Sequence, residues 1–492
     1  MRRIALVSLI AVLVVAGVVS ALLLVNRDTP ASAPDPQAFT TGLADDGFLV
    51  GAGSAVRIDA SEMVDQHAID SAAGNNAGQP YKVFAVPNRA DAAEDDATRE
   101  VRAFRLREDE ALVYVGPTPP AGDYFSFTPF LFSRHQGQIE PKGDWMFAAL
   151  GDPLNNMGIK TAGDSPFGAQ TLIVFAADAG VMQRVVDQAV AAGYPESMIN
   201  TYPLPSALLN MGDSLESDTL LMLLRTANLA QPAGDDYLAN DNYATVLRVT
   251  PQVPPTSDPI PTVPMRDREW RTEEELYPGI TAALDRLEQA ILAQTPHGSA
   301  QLFGSDRWWP ESRDVLEAQP GSADYHKFVA GEAADTPYRR TASFPLADSD
   351  TVVVYGVNHA ATGLATYSNF SVYSEKVLNP CGSREWPTRF GCGNPVWSGV
   401  AGMSSHDFTN SAARYLPDDP MAKYLYAVTV SRDAASGAGV VIPQPSAPDL
   451  PATGIGPDDP VLVGYRAYLN PNTGVGPAYT DVIADRAMVL RP

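Results

Sequence analysis

The chain has 492 residues, more than one ordinary hydrophobic core organises, so two or three domains are expected. It carries 34 Lys and Arg against 58 Asp and Glu, a net charge of −24. That balance argues against a nucleic-acid partner, which needs a basic face, and suits a soluble body outside the cell.

The first 33 residues have a leader's pattern. Met1-Arg2-Arg3 is a short basic start, and Ile4 to Val25 is an uninterrupted run of 22 residues with only Ser8 and Ser20 polar. As a helix it would measure about 33 Å, enough for the hydrocarbon core of a bilayer. Arginines before it and the bulk of the chain after it set the N-terminus inside and the body outside. Residues 1–33 are therefore expected to be a signal anchor that holds the protein to the membrane through residues 4–25. The alternative is a signal peptide cut after Ala31-Ser32-Ala33, which would leave a secreted protein. Residues 34–46 read as a tether with little to bury.

Residues 47–250 read as a β-rich α+β domain. Its strand candidates are FLVGAGSAVRI, YKVFAVP, VRAFRL and ALVYVG, split by polar or Gly/Pro segments. In AGDYFSFTPFLFSR, Tyr124, Ser126 and Thr128 alternate with Phe125, Phe127 and Pro129, which predicts a strand. Residues 171–202 form a β-α-β unit. TLIVFAAD is the buried strand, Asp178 the helix cap, Val181, Val185, Ala189 and Val190 lie on the apolar face, and Gly193 marks the end. The connection lacks the G-x-G-x-x-G glycines of a dinucleotide site, so no cofactor is expected.

Six prolines in the fourteen residues Pro251 to Pro264 predict a connector. Residues 265–492 follow as a second β-rich domain, with a helix near 279–294 whose stripe is Ile280, Ala283, Leu284, Leu287 and Ile291. Cys381 and Cys392, the only cysteines, have the spacing of a small disulfide-closed surface loop. The expected fold class is thus α+β and β-rich: an N-terminal apolar helix, then mixed sheets with a few packed helices.

Two short strings resemble known signals. Gly212-Asp213-Ser214-Leu215 resembles the first block of the GDSL esterases, which implies Ser214 as nucleophile. The remaining blocks of that family are missing: Asn240-Asp241 lacks the glycine, and no D-x-x-H follows Ser214. Leu450-Pro451-Ala452-Thr453-Gly454 resembles a sortase anchoring signal, yet no apolar span follows it, and it reads as a Pro-rich loop.

The candidate chemistry lies between Thr351 and Arg432. Asn358-His359 is placed at the tip of a predicted hairpin after TVVVYGV, and Ser405, His406 and Asp407 sit in a loop of small residues. An imidazole titrates near neutral pH and serves as general base for a hydroxyl. His359, His406, Asp407 and Ser405 are therefore the candidate catalytic residues of a hydrolase with its site at the 358–363 turn and the 404–407 loop; no metal is assigned. His135 is a third histidine of interest, and Arg466 is read as reaching for a carboxylate. The alternative function is a non-catalytic cell-surface or binding protein that recognises a glycan or protein partner, with Trp308, Trp309, Trp386 and Trp397 as stacking surfaces.

Overall fold

The computed structural model describes residues 34–492 except 67–70, 73, 77–80, 89–99, 135–143, 297, 320, 323, 326, 377–395 and 448–449. The apolar N-terminal run, His135, Trp386 and both cysteines lie outside the described residues. Among the described residues no helix is long and apolar enough to cross a membrane.

The N-terminal half runs α1 (Pro36–Asp45), β1 (Phe48–Ile58), α2 (Ala60–Asp65), β2 (Tyr81–Pro87), β3 (Glu100–Val101), β4 (Ala111–Pro117), β5 (Tyr124–Arg134), β6 (Asp144–Ala149), β7 (Leu154–Asn155), β8 (Gln170–Ala176), α3 (Ala179–Ala191), β9 (Ile199–Pro203), β10 (Thr219–Ala227), α4 (Ala233–Ala239) and β11 (Thr245–Pro251). The C-terminal half runs α5 (Glu273–Leu276), α6 (Ile280–Gln294), β12 (Ser299–Arg307), α7 (Ser312–Leu316), β13 (Tyr338–Thr341), β14 (Thr351–Val357), β15 (Tyr367–Ser374), β16 (Gly399–Ser404), β17 (Leu425–Ser431), β18 (Val440–Val441), β19 (Val461–Tyr468) and β20 (Arg486–Arg491). The protein is β-rich α+β, built from two mixed sheets with few helices.

The first sheet has the order β6-β5-β10-β2-β1-β11-β4-β8-β9, with β3 on β2 and β7 on β5; the second is β16-β15-β19-β13-β12-β20-β14-β17-β18. Both are antiparallel except for the pairs β8–β9 and β17–β18. The first parallel pair is the β-α-β unit foreseen from the sequence. Asp178 accepts a hydrogen bond from Val181 N at 2.8 Å, and Val181, Val185 and Ala189 are buried. Val190, assigned to the same face, is exposed.

Each sheet buries one face in its own core and divides the other. In the first, Phe84, Tyr114, Phe127 and Met222 belong to the inner core. On the opposite face Val113, Val174 and Val249 pack under α1 and α3, while Val83, Leu221 and Leu223 form a separate patch. In the second, Val354, Phe370 and Val463 are inner. The outer Val353, Tyr355 and Met488 pack under α6. The stripe on α6 consists of the five residues its spacing marked, all buried. Val83, Leu221 and Leu223 share one cavity lining with Tyr338, Arg466 and Tyr468 of the second sheet.

Three expectations are corrected. Residues 34–46 are not a plain tether: Asp35 caps α1 through Gln37 N and Ala38 N, and Phe39 and Leu43, four residues apart, are buried. Of VRAFRL only Val101 is in a strand, β3, after which Phe104 makes an isolated bridge to Leu220. The 358–363 turn is not a hairpin tip, because β14 pairs with β17 and β20 while β15 pairs with β16 and β19. The Pro-rich segment is a surface crossing fixed by hydrogen bonds: Ile260 N donates to Ala177 O at 2.7 Å and Asp258 N to Asp178 Oδ2 at 2.6 Å.

Straps cross between the halves. From the first, residues 71–72 and 74–76 reach the second sheet: Ala72 N donates to Val396 O at 2.8 Å and Gly399 N to Asn75 Oδ1 at 2.8 Å. From the second, residues 329–335 return to the first: Val329 N and Gly331 N donate to Met146 O and Phe147 O at 2.9 and 2.8 Å.

Candidate functional site

The predicted catalytic residues are close in the chain trace, since Asn358 Nδ2 donates to Ser405 O at 3.3 Å, but their functional groups face different partners. His359 is buried. Its Nδ1 lies 2.7 Å from Glu273 Oε1, at the start of α5, and its Nε2 lies 3.3 Å from Asp485 Oδ2, just before β20. Thr362 Oγ1 and Ile483 N also donate to Glu273, at 3.0 and 2.8 Å, and Tyr426 OH donates to Asp485 Oδ1 at 2.8 Å. Burial alone would lower the imidazole pKa, but the two carboxylates outweigh it and raise it to about 10. A buried imidazolium between two carboxylates holds its proton at neutral pH and has no lone pair for a substrate. It joins α5, the end of β14 and the start of β20.

His406 is exposed; its Nε2 is 2.9 Å from both oxygens of Asp123, which also accepts from Asn228 Nδ2 at 2.8 Å. This links the 404–407 loop to the entry of β5. Ser405 Oγ is buried and accepts from Ser368 N at 3.2 Å. Asp407 closes its own turn, accepting from Ser404 Oγ at 2.8 Å. Neither described imidazole has a serine hydroxyl at hydrogen-bond distance. Ser214, of the GDSL string, shares its hydroxyl contact with Ser217 Oγ at 3.2 Å. The tryptophans pack together: the rings of Trp308 and Trp309 stack at 5.3 Å, and Trp397 lies edge-on to Trp309 at 4.9 Å.

A largely apolar cavity lies elsewhere, between the two sheets. It has a volume of about 350 Å³. Its first-sheet wall is built from alternate strand positions, which share a face: Leu221, Leu223 and Arg225 on β10, Tyr81 and Val83 on β2. Phe132, Trp145 and Phe147 extend that wall. The second-sheet wall is Tyr338, Arg466 and Tyr468, and the two straps close the sides.

Two arginines are the charged groups buried in this wall. Arg225 donates from Nη1 to Tyr338 OH at 2.9 Å and from Nη2 to Gly331 O. Arg466 donates from Nη1 to Tyr373 OH at 2.7 Å and from Nη2 to Gly74 O. Tyr338 stands between them, its hydroxyl on Arg225 and its ring centroid 5.4 Å from the Arg466 guanidinium. The two carbonyl acceptors belong to glycines with φ of +74° and +69°, the left-handed backbone that lets each strap present an oxygen inward. Behind Tyr124, a further wall residue, lies buried Asp335: Tyr124 OH donates to it at 2.6 Å and Asn155 Nδ2 at 3.0 Å. Burial raises the Asp335 pKa to about 6, against those hydrogen bonds and the charge of Arg225.

Sequence reasoning singled out Arg466 for a carboxylate, and no described carboxylate lies within 4.0 Å of it. It missed Arg225. The available signal was a single cation inside each of two otherwise apolar strands, LLMLLRTA and VLVGYRAY.

No family model and no curated protein matches the chain. Among solved structures, an uncharacterized protein from Burkholderia cenocepacia aligns over 94% of this chain and 92% of its own at 10% identity, with a TM-score of 0.36. A protein from Vibrio parahaemolyticus aligns over 91% of this chain and 97% of its own at 10% identity, with a TM-score of 0.34. Likeness at this level carries no argument about function.

Proposed function

We propose that this protein binds a small apolar molecule in the cavity between its two sheets, in preference to acting as a hydrolase at the 358–363 turn and the 404–407 loop. The supporting observation is the cavity itself. At about 350 Å³ it lies in the size range of small-ligand sites, and its aromatic and aliphatic walls carry a few convergent polar groups. It is also built from both halves, so a ligand there would touch both sheets and both straps. The hydrolase reading needs a histidine base beside a nucleophile, and His359 is committed to two carboxylates while His406 pairs with Asp123. The proposal includes the extracytoplasmic setting expected from residues 4–25, where the ligand would be taken up outside the cell.

The test is binding of Nile red, a neutral apolar fluorophore, to the full chain and to Leu223→Trp, which fills the cavity from β10. Saturable binding by the wild type and its loss in the filled variant, at an unchanged unfolding midpoint, is the expected result. Equal binding by the two proteins would place the ligand elsewhere and remove the reading.

A further inference from the structure

We infer that the ligand of this cavity is an amphipathic organic anion whose head is taken by Arg225 and Arg466; the inference rests on the small-molecule reading above. A cation is almost never buried without a counter-charge. Three other buried cations of the described structure obey this rule. Buried Arg248 pairs with Glu110 at 2.7 Å, Arg134 with Asp218 at 3.3 Å, and Lys82 with Asp241 at 3.0 Å. Arg225 and Arg466 are equally buried, at 8% and 4% exposure, yet no described carboxylate lies within 4.0 Å of either. Buried Arg432 also lacks one, but it does not line the cavity; it is anchored between loops by the carbonyls of Leu346 and Ile455.

The hydrogen bonds of the two cavity arginines point the same way. A guanidinium has five N–H groups. Among the described residues each of these two donates to one tyrosine hydroxyl and one glycine carbonyl, which uses two of its five N–H groups. Asp335 does not take the others: it lies beyond 4.0 Å of either guanidinium, and its oxygens accept from Tyr124 and Asn155. The site therefore offers two guanidiniums, Arg225 from the first sheet and Arg466 from the second, in a cavity whose walls include Leu221, Leu223 and Phe147. That pairing fits a molecule with an apolar body and a planar anionic head; a carboxylate matches the fork of a guanidinium in two parallel hydrogen bonds. Bound there, the anion supplies a counter-charge that no described carboxylate within 4.0 Å provides, and tyrosines hold the guanidiniums in place beforehand: the rings of Tyr338 and Tyr373 lie against Arg466, and Tyr338 OH accepts from Arg225.

The experiment is isothermal calorimetry on the full chain with two matched pairs: octanoate against 1-octanol, and 2-naphthoate against 2-naphthalenemethanol. Each pair keeps the apolar body and changes only the head. The acid is expected to bind about ten- to a hundredfold tighter than its alcohol, the range of a charge-assisted hydrogen bond. In Arg225→Gln and Arg466→Gln the preference should fall below about threefold. Arg225→Lys, which keeps charge without the fork and is the milder change for folding, should retain part of it. Equal binding of acid and alcohol to the wild type would overturn the anion assignment and leave the small-molecule reading standing. Binding of neither member of either pair would overturn both. The wild-type comparison decides the matter even if a glutamine variant does not fold.

Discussion

The charge state of His359 sets a pH window for stability. In the fold its pKa is about 10, against 6.5 for a free imidazole, because Glu273 and Asp485 flank it in the interior. A raised pKa on a basic group means that the folded state holds the proton more tightly than the unfolded state. The stabilisation is complete below pH 6.5 and is lost as pH rises through about 10. One pKa unit corresponds to about 1.4 kcal/mol, so the upper limit is about 5 kcal/mol. Burial of three coupled groups argues for a smaller realised value, on the order of 3 kcal/mol. The assay is urea unfolding of the wild type and His359→Gln at half-unit steps from pH 6 to 10. The variant leaves two buried carboxylates without their cation and should be less stable by about 3–5 kcal/mol at pH 6. That gap should narrow steadily toward pH 10, as the wild type gives up its proton. A gap that stays constant across the range would mean that His359 is neutral in the fold. The argument against a catalytic role for this imidazole would then lose its basis.

Other outcomes follow from the same reasoning. Glu110→Gln strips the counter-charge from Arg248, buried in the first sheet, and should cost about 3–5 kcal/mol in chemical denaturation. Asp335 has a folded pKa of about 6 against an ordinary 3.8, so its contribution is complete below pH 3.8 and disappears as pH rises through 6; Asp335→Asn should flatten the wild-type decline in stability between pH 4 and 7, read by unfolding midpoints. Gly331→Ala puts a Cβ at φ +74°, 2.9 Å from the Phe147 ring and 3.0 Å from Arg225 Nη2, and should cost about 1–3 kcal/mol in thermal unfolding while weakening octanoate binding. His406→Ala removes an exposed pair with Asp123 and should shift stability by less than about 1 kcal/mol, with octanoate affinity unchanged by calorimetry.

What the sequence discloses is periodicity, and periodicity is local. The β8-α3-β9 unit was legible because the apolar spacing changes from continuous to helical at Asp178 and stops at Gly193. The stripe of α6 was legible for the same reason. Helix α1 was not, because two apolar residues, Phe39 and Leu43, carry its buried face within a segment whose composition resembles a linker. The hairpin at 358–363 failed on a longer scale: strand neighbours in the second sheet come from as far apart as β14 and β20, and no local pattern records that order. The histidines fail for a related reason. Residue type marks His359 and His406 alike, but their partners Glu273, Asp485 and Asp123 lie 86, 126 and 283 residues away.

The cavity arginines were half legible. Parity along β10 puts Arg225 on the face of Leu221 and Leu223, so a buried cation could be inferred from the sequence. Its lack of a carboxylate could not, because that depends on where the second sheet meets the first. A cation at a core-facing strand position is costly to the fold unless something neutralises it. Among the described residues Lys82, Arg134 and Arg248 meet that requirement with carboxylates and Arg432 rests on loop carbonyls, while Arg225 and Arg466 line the cavity and leave it to whatever enters between the sheets.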